Sequence, residues 1–402
     1  MSALSSFAAK GSVISYRKEN VSMGRSLRAR IVSLSLRQKY KPRSDAEVIA
    51  SIEALKDAPA PAYQIPESVK LSVPVREDAL EDMQVFTVNE TEPGQKTILY
   101  LHGGGFHANI EPAHWALINK ICAKTGAKCI VPLYPLIPYA TWKESFHLLT
   151  ELYRTLDPDV ETILMGDSSG GGLALSLELE WAKQGLKLPD KTILFSPWVD
   201  LRTDNPGITK LQKKDPFLWA PSLRIYAKYW AGDLDLTDER VSPTFGDLSV
   251  LKNISVFIGT REIFHPDVVE FCSKLKGSQL IVGRDMNHVY PLFPIPEADL
   301  ALEQIVFLVQ MGEPRDGDEP SDPLQTGGTQ YAGTQRFLTV VIFLLIAAGF
   351  CWWKAYTAAA IVCGVSGLLG LGMYFWAKGR EKAPDPTEHI GTDSNAEKQE
   401  NE

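Results

Sequence analysis

GDSSGG, Gly166 to Gly171, follows the apolar run Thr162, Ile163, Leu164 and Met165 and leads into GLALSLELEWAK. An apolar strand that breaks into small residues and resumes with helix formers reads as strand, tight turn, helix, and such turns present nucleophiles. Gly166-Asp167-Ser168-Ser169-Gly170 fits G-x-S-x-G, in which the serine sits on a strained turn and the glycines let neighbouring backbone pass. Ser168 is the candidate nucleophile. A plain Gly/Ser loop looks the same over six residues, so the assignment depends on partners elsewhere in the chain.

A serine hydroxyl needs a base within reach, a carboxylate to orient that base, and backbone donors for the oxyanion. The donors are expected from TILYLHGGGFH, where His102-Gly103-Gly104-Gly105-Phe106 follows a strand in the manner of an HGGG oxyanion loop. Gly104 and Gly105 are the candidate donors, Gly103 shapes the turn, and Ser169 adds the N–H of the residue after the nucleophile. The chain order serine, acid, histidine leaves His265, His288 and His389 as possible bases. His389 lies in a polar tail and His265 in the segment expected to supply the acid, whereas His288 in GRDMNHVYPLF follows the strand QLIVG. His288 is the candidate base. REIFHPD offers two acids, Glu262 just after the strand ISVFIGT and Asp267 beyond Pro266, and Glu262 is favoured by its position.

HGGGF, GDSSGGG, SPWVDL and MNHVYPLF, in this order and at these separations, resemble the α/β-hydrolases of the hormone-sensitive lipase-like esterase group over about residues 83 to 310. The resemblance implies a Ser168, Glu262, His288 triad and places Asp167 and His102 in support of the elbow and oxyanion loop. It also implies an amino-terminal cap over an acyl pocket. Glu262 stands where the family more usually has aspartate, and neither the basic arm nor the apolar carboxyl-terminal stretch belongs to the family core.

The surrounding pattern agrees with an α/β fold. MQVFTV, TILYL, CIVPLY, TILMG, TILFS, ISVFIG and QLIVG read as strands, alternating with helices over 113–124, 141–156, 170–184, 265–276 and 297–310. Alternation of this kind implies a mostly parallel sheet covered on both faces. Residues 201–248 interrupt it with an aromatic-rich, Pro-bearing insertion, expected over the carboxyl ends of the strands where ligands bind. Phe106, Trp219, Tyr226 and Trp230 are candidates to shape a pocket there.

The 402 residues carry a net charge of -8, which argues against a nucleic-acid partner. The charge is uneven: residues 1–48 hold ten Lys or Arg against three Asp or Glu. Within this basic arm, Leu27, Ile31 and Leu34 recur at helical spacing, either to meet a membrane surface or to pack over the globular domain. Five scattered cysteines suggest neither a disulfide framework nor zinc, and His102, His107 and His114 share no common face for a metal. No metal or cofactor is expected. The Ser-rich start without early acids has some character of a transit peptide. The sequons at Asn20, Asn89 and Asn253 would matter only in a secretory lumen.

After residue 311 the composition changes. The expected organisation is a basic arm and cap over 1–80, the catalytic domain over 81–311, an acidic linker over 312–336, a membrane hairpin over 337–377 and a polar tail over 378–402. Phe337 to Ala377 is an apolar stretch interrupted by a single charge, Lys354, and would reach roughly twice across a ~30 Å hydrocarbon core as one helix. Trp352, Trp353 and Tyr356 mark a turn, and Ala359, Cys363 and Gly367 give the second helix a small-residue face. Arg336, Lys378, Arg380 and Lys382 flank the stretch, so both ends are expected in the cytosol, most naturally at the endoplasmic reticulum membrane. A single span with an interfacial second segment is the rival arrangement.

Three functions follow as expectations: a membrane-anchored serine esterase acting on a small-molecule or lipid ester, a catalytically silent ligand-binding module, and an amidase or thioesterase using the same triad. Nothing in the pattern specifies an oligomeric state.

Overall fold

The structure, a computed structural model, describes residues 25–311 apart from 41, 58, 59 and 61. The linker, the expected hairpin over 337–377, the tail, and Asn20 lie outside the described residues. Two helices open the chain, α1 (Leu27–Lys39) and α2 (Asp45–Glu53). The strands are β1 (Val75–Leu80), β2 (Met83–Val88), β3 (Thr97–Leu101), β4 (Lys128–Pro132), β5 (Thr162–Asp167), β6 (Lys191–Phe195), β7 (Ile254–Gly259) and β8 (Gln279–Gly283). Between and after them run α3 (Pro112–Thr125), α4 (Trp142–Arg154), α5 (Ser168–Lys183), α6 (Pro206–Gln212), α7 (Ala220–Ala231), α8 (His265–Lys274) and α9 (Pro296–Gln310).

The strands form one sheet in the order β1-β2-β4-β3-β5-β6-β7-β8, antiparallel at β1-β2-β4 and parallel from β4 to β8. Residues that alternate along the strands go to two separate cores. Leu99, Leu101, Leu164, Leu194 and Val256 face one, while Ile98, Tyr100, Ile163, Met165 and Phe257 face the other. Burial on both faces explains why these strands read as apolar runs.

β1 corrects the expected boundary at residue 80. VREDAL joins the sheet, yet its middle four residues are exposed, because it is an edge strand with β2 as its one neighbour. Exposure on both faces removes the apolar pattern that would have marked it. The insertion likewise contains α6 and α7, which the polar and Pro-bearing sequence did not suggest. α1 does pack over the globular domain, but through Ala29, Ser33 and Leu36. Its periodic residues Leu27, Ile31 and Leu34 face outward.

Along α5 every residue but Glu180, Ala182 and Lys183 is buried, and this helix carries a buried acid. Glu178 shares a hydrogen bond with Thr192 Oγ1 on β6, and burial pushes its carboxyl up to about 8. A raised folded-state pKa means the stability contributed is complete below the ordinary glutamate range, declines as pH rises, and is gone above about pH 8. Glu178→Gln, which cannot titrate, should remove about 1.4 kcal/mol per pH unit from the fall in stability across that window. Denaturant unfolding of the two proteins at pH 5 to 9 measures this; parallel pH profiles would refute it.

Candidate active site

The turn from β5 into α5 carries Ser168 at φ 52, a left-handed conformation that is strained for a side-chain-bearing residue. Small neighbours permit it. A Cβ on Gly170 would stand 2.2 Å from the Leu101 carbonyl oxygen and 2.4 Å from that of His102, so the end of β3 lies directly against the first turn of α5. The elbow and the HGGG loop are therefore in contact because residue 170 has no side chain.

Across from Ser168, the loops after β7 and β8 bring Glu262 and His288 together. The Ser168 hydroxyl lies 2.8 Å from His288 Nε2, and His288 Nδ1 lies 2.6 Å from Glu262 Oε2. A carboxylate can only accept, so Nδ1 carries the proton and Nε2 is left to accept from the serine. Glu262 and His288 are almost completely buried, and Ser168 is 8% exposed. Asp267, the alternative acid, sits in the first turn of α8 and makes no hydrogen bond or ion pair with His288 among the described residues. Burial, followed by the repulsion of Asp200, Glu270 and Asp204, pushes its carboxyl up to about 7 against a hydrogen bond from Asn205.

The two loops are held by residues that the sequence reading did not single out. Ser196, at the end of β6, donates to Glu262 Oε1 at 2.8 Å and accepts from the Val289 N–H at 3.0 Å. Glu262 Oε1 also accepts from the Gly259 N–H at 2.6 Å. Asp215, from the insertion, accepts from the Ile263 N–H at 2.9 Å and from the Phe217 and Leu218 N–H groups at 2.8 and 3.0 Å. Burial pushes the Asp215 carboxyl up to about 6 although these N–H groups favour its charge. Ser196 and Asp215 are separated from Glu262 by 66 and 47 positions, and no local pattern announces such long-range bonds.

In the HGGG loop the amides divide into two sets. Gly103 N–H donates to Asp167 Oδ1 at 2.9 Å, and Phe106 N–H to Ser169 Oγ at 3.3 Å. Between them, the Gly104 and Gly105 N–H groups have no acceptor among the described residues. The Ser169 N–H is likewise free, in the first turn of α5, where amides lack intrahelical partners. Gly104 has φ +134, and a Cβ there would meet the Ala108 carbonyl oxygen at 2.3 Å.

Asp167 is the hub beneath this loop. Its carboxylate also accepts from Tyr100 Oη at 2.9 Å and lies 3.3 Å from His114 Nε2. Burial opposes its charge, but His114, the Gly103 N–H and Tyr100 outweigh burial and hold the carboxyl below the usual range. His114 is correspondingly raised despite burial, by Asp167. His102 is different. Its Nδ1 donates to the Gly103 carbonyl at 2.7 Å, and burial lowers its pKa to about 4, so the ring is neutral at physiological pH. His107 lies on the Tyr226 ring, 4.0 Å between centroids, so the three histidines serve three separate partners. Phe106 and Trp230 stack at 4.1 Å and are 1% exposed, which makes them a brace between insertion and oxyanion loop and not open pocket wall.

A serine on a strand-to-helix turn, facing a histidine and a carboxylate across the carboxyl end of a mostly parallel sheet, is the arrangement of a serine hydrolase on an α/β scaffold. Residues 98–292 match the family model of the alpha/beta hydrolase fold. An esterase of Acinetobacter venetianus is 31% identical over 219 residues, spanning 52% of this chain and 72% of the relative. An acetyl-hydrolase of Streptomyces hygroscopicus is 28% identical, spanning 52% and 73%. A solved Staphylococcus aureus structure assigned as an esterase superposes with a TM-score of 0.65 at 29% identity, covering 69% of this chain and 99% of that one. The chain belongs to the α/β-hydrolase fold family, as a carboxylic ester hydrolase of the esterase and lipase type.

Proposed function

We propose that this protein is a membrane-tethered serine esterase that cleaves carboxylic esters through an acyl-enzyme on Ser168. The observation that carries the reading is the buried chain of contacts from Ser168 Oγ through His288 to Glu262, at 2.8 and 2.6 Å. In the first half-reaction His288 Nε2 takes the hydroxyl proton as Oγ bonds to the ester carbonyl carbon. Nε2 then returns that proton to the departing alcohol as the carbon–oxygen bond breaks. Water repeats the sequence on the acyl-enzyme and releases the acid. Glu262 orients the imidazole and stabilises its charged form. The free N–H groups of Gly104, Gly105 and Ser169 receive the oxyanion, each worth about 3 kcal/mol in the transition state. Asp167 and His102 support this hole, the first through the Gly103 N–H and the second through the Gly103 carbonyl.

The tether is the apolar stretch over 337–377, read as a hairpin with both ends in the cytosol at the endoplasmic reticulum membrane. Among the described residues no helix is long and apolar enough to cross a membrane. The substrate proposed is a lipophilic or small-molecule ester. In intact microsomal vesicles, added protease is expected to digest both an amino-terminal and a carboxyl-terminal tag without detergent. Protection of one tag would mean a single crossing, and protection of both a luminal catalytic domain.

A further inference from the structure

α1 has two faces, and only one is used by the fold. At about 100° per residue, Ala29, Ser33 and Leu36 lie on one side, and Leu27, Ile31 and Leu34 fall within about 60° of arc on the opposite side. The outer three are 71%, 53% and 68% exposed, and α1 contributes three of the largest exposures among the large apolar side chains described. Arg30 borders this stripe on one edge, with Arg28 and Lys39 on the other. Neither Arg28 nor Arg30 has a carboxylate within ion-pair distance among the described residues, while Lys39 lies 3.6 Å from Glu111. From residue 25 to residue 44 the sequence has seven Lys or Arg and no Asp or Glu.

We propose that α1 is a lipid-docking helix, whose Leu27, Ile31 and Leu34 enter the headgroup boundary of an anionic bilayer while Arg28 and Arg30 meet its phosphates. Apolar side chains at the level of the acyl boundary with cations beside them are what an interfacial helix requires. Charge selects the occupant. The acidic run over 313–322 could neutralise the arginines but has no large aliphatic residue to cover the stripe, and residues 1–24 are themselves basic. A second copy would oppose like charges. The inference does not depend on the 337–377 tether.

Docking at this face would be felt at the active site, because the inner face of α1 grips the catalytic loops. Ser33 Oγ lies within 2.9 Å of both atoms of the Asn287 side-chain amide, next to His288. Arg37 donates to the Lys213 carbonyl at 2.9 Å, two residues before Asp215. Tyr40 touches Phe217, whose ring lies 5.6 Å from that of His288.

The test uses the full chain with Ile31→Cys, Cys351→Ala and Cys363→Ala, since Cys122, Cys129 and Cys272 are buried. Residue 31 is labelled with the NBD fluorophore, and the protein is reconstituted with phosphatidylcholine vesicles with or without phosphatidylserine. A shift of emission to shorter wavelength and quenching by brominated acyl chains are expected only with phosphatidylserine, and both should be reversed by salt. No shift overturns the proposal. So does an emission already shifted without vesicles, which would mean that another segment or a second copy covers the stripe. Independently, Leu27→Gln/Ile31→Gln/Leu34→Gln should lower hydrolysis of an ester dispersed in anionic vesicles, relative to a short water-soluble ester, by about tenfold or more. Arg28→Gln or Arg30→Gln should lower it about fivefold each. An unchanged ratio refutes docking. Alkaline carbonate extraction reads the tether separately, so retention in the membrane pellet with no response at residue 31 sinks the docking helix alone.

Discussion

Ser168→Ala is expected to abolish labelling by a fluorophosphonate probe and to lower kcat on a soluble chromogenic ester by about five to six orders of magnitude. The size follows from the geometry, since Ser168 Oγ is the hydroxyl within reach of His288 Nε2, at 2.8 Å. Truncation leaves the oxyanion donors in place, so a residual rate above that in water should remain. Ser169→Ala should stay labelled. The Ser169 side chain accepts from the Phe106 N–H at 3.3 Å and does not meet His288 Nε2, and its own N–H survives the substitution. Labelling that persists in Ser168→Ala, or that is lost only in Ser169→Ala, would overturn the assignment.

Glu262→Gln should lower kcat by about 10³ to 10⁴-fold, in line with the loss when a triad carboxylate becomes an amide. Both amide orientations are wrong for this site. With NH₂ toward His288, the amide donates to Nδ1 and drives the ring proton to Nε2, where it blocks proton transfer from Ser168. With NH₂ turned away, it faces the Gly259 N–H, which now donates to Oε1 at 2.6 Å. Asp267→Asn should change kcat by less than about threefold, because among the described residues that carboxyl makes no hydrogen bond or ion pair with His288, whose Nδ1 is held by Glu262. Steady-state kinetics of the two variants on one ester decides the matter, and the reverse ranking would move the acid to Asp267.

The parts of the site that lie within a few residues of one another were legible in the chain. The elbow around Ser168 and the HGGG loop each follow an apolar strand, and their glycines are needed for local reasons of φ and close approach. β2 and β7 could be read to the residue because burial at nearly every position and a partner on each side make a strand's composition report its place, and β8, at the far edge, because Leu280, Ile281 and Val282 keep its apolar run. The edge strand β1 could not, since half-exposed side chains leave backbone hydrogen bonding as its main constraint.

What brings separated segments together had no such signature. Position after a strand favoured Glu262 over Asp267, but whether either carboxylate meets His288 depends on how two loops fold back over a sheet edge. Ser196, Asp215 and Asn287 hold those loops through hydrogen bonds to residues far along the chain, and any small polar residue in a loop looks the same before the chain is folded. α1 is the plainest case. Its apolar spacing left open a membrane surface or packing on the domain, and the helix packs on the domain through Ala29, Ser33 and Leu36 with Leu27, Ile31 and Leu34 outward. Close approach to the His288 loop favours small side chains and a matching hydroxyl there, and hydrophobicity alone does not choose which side of a helix a neighbouring surface will fit.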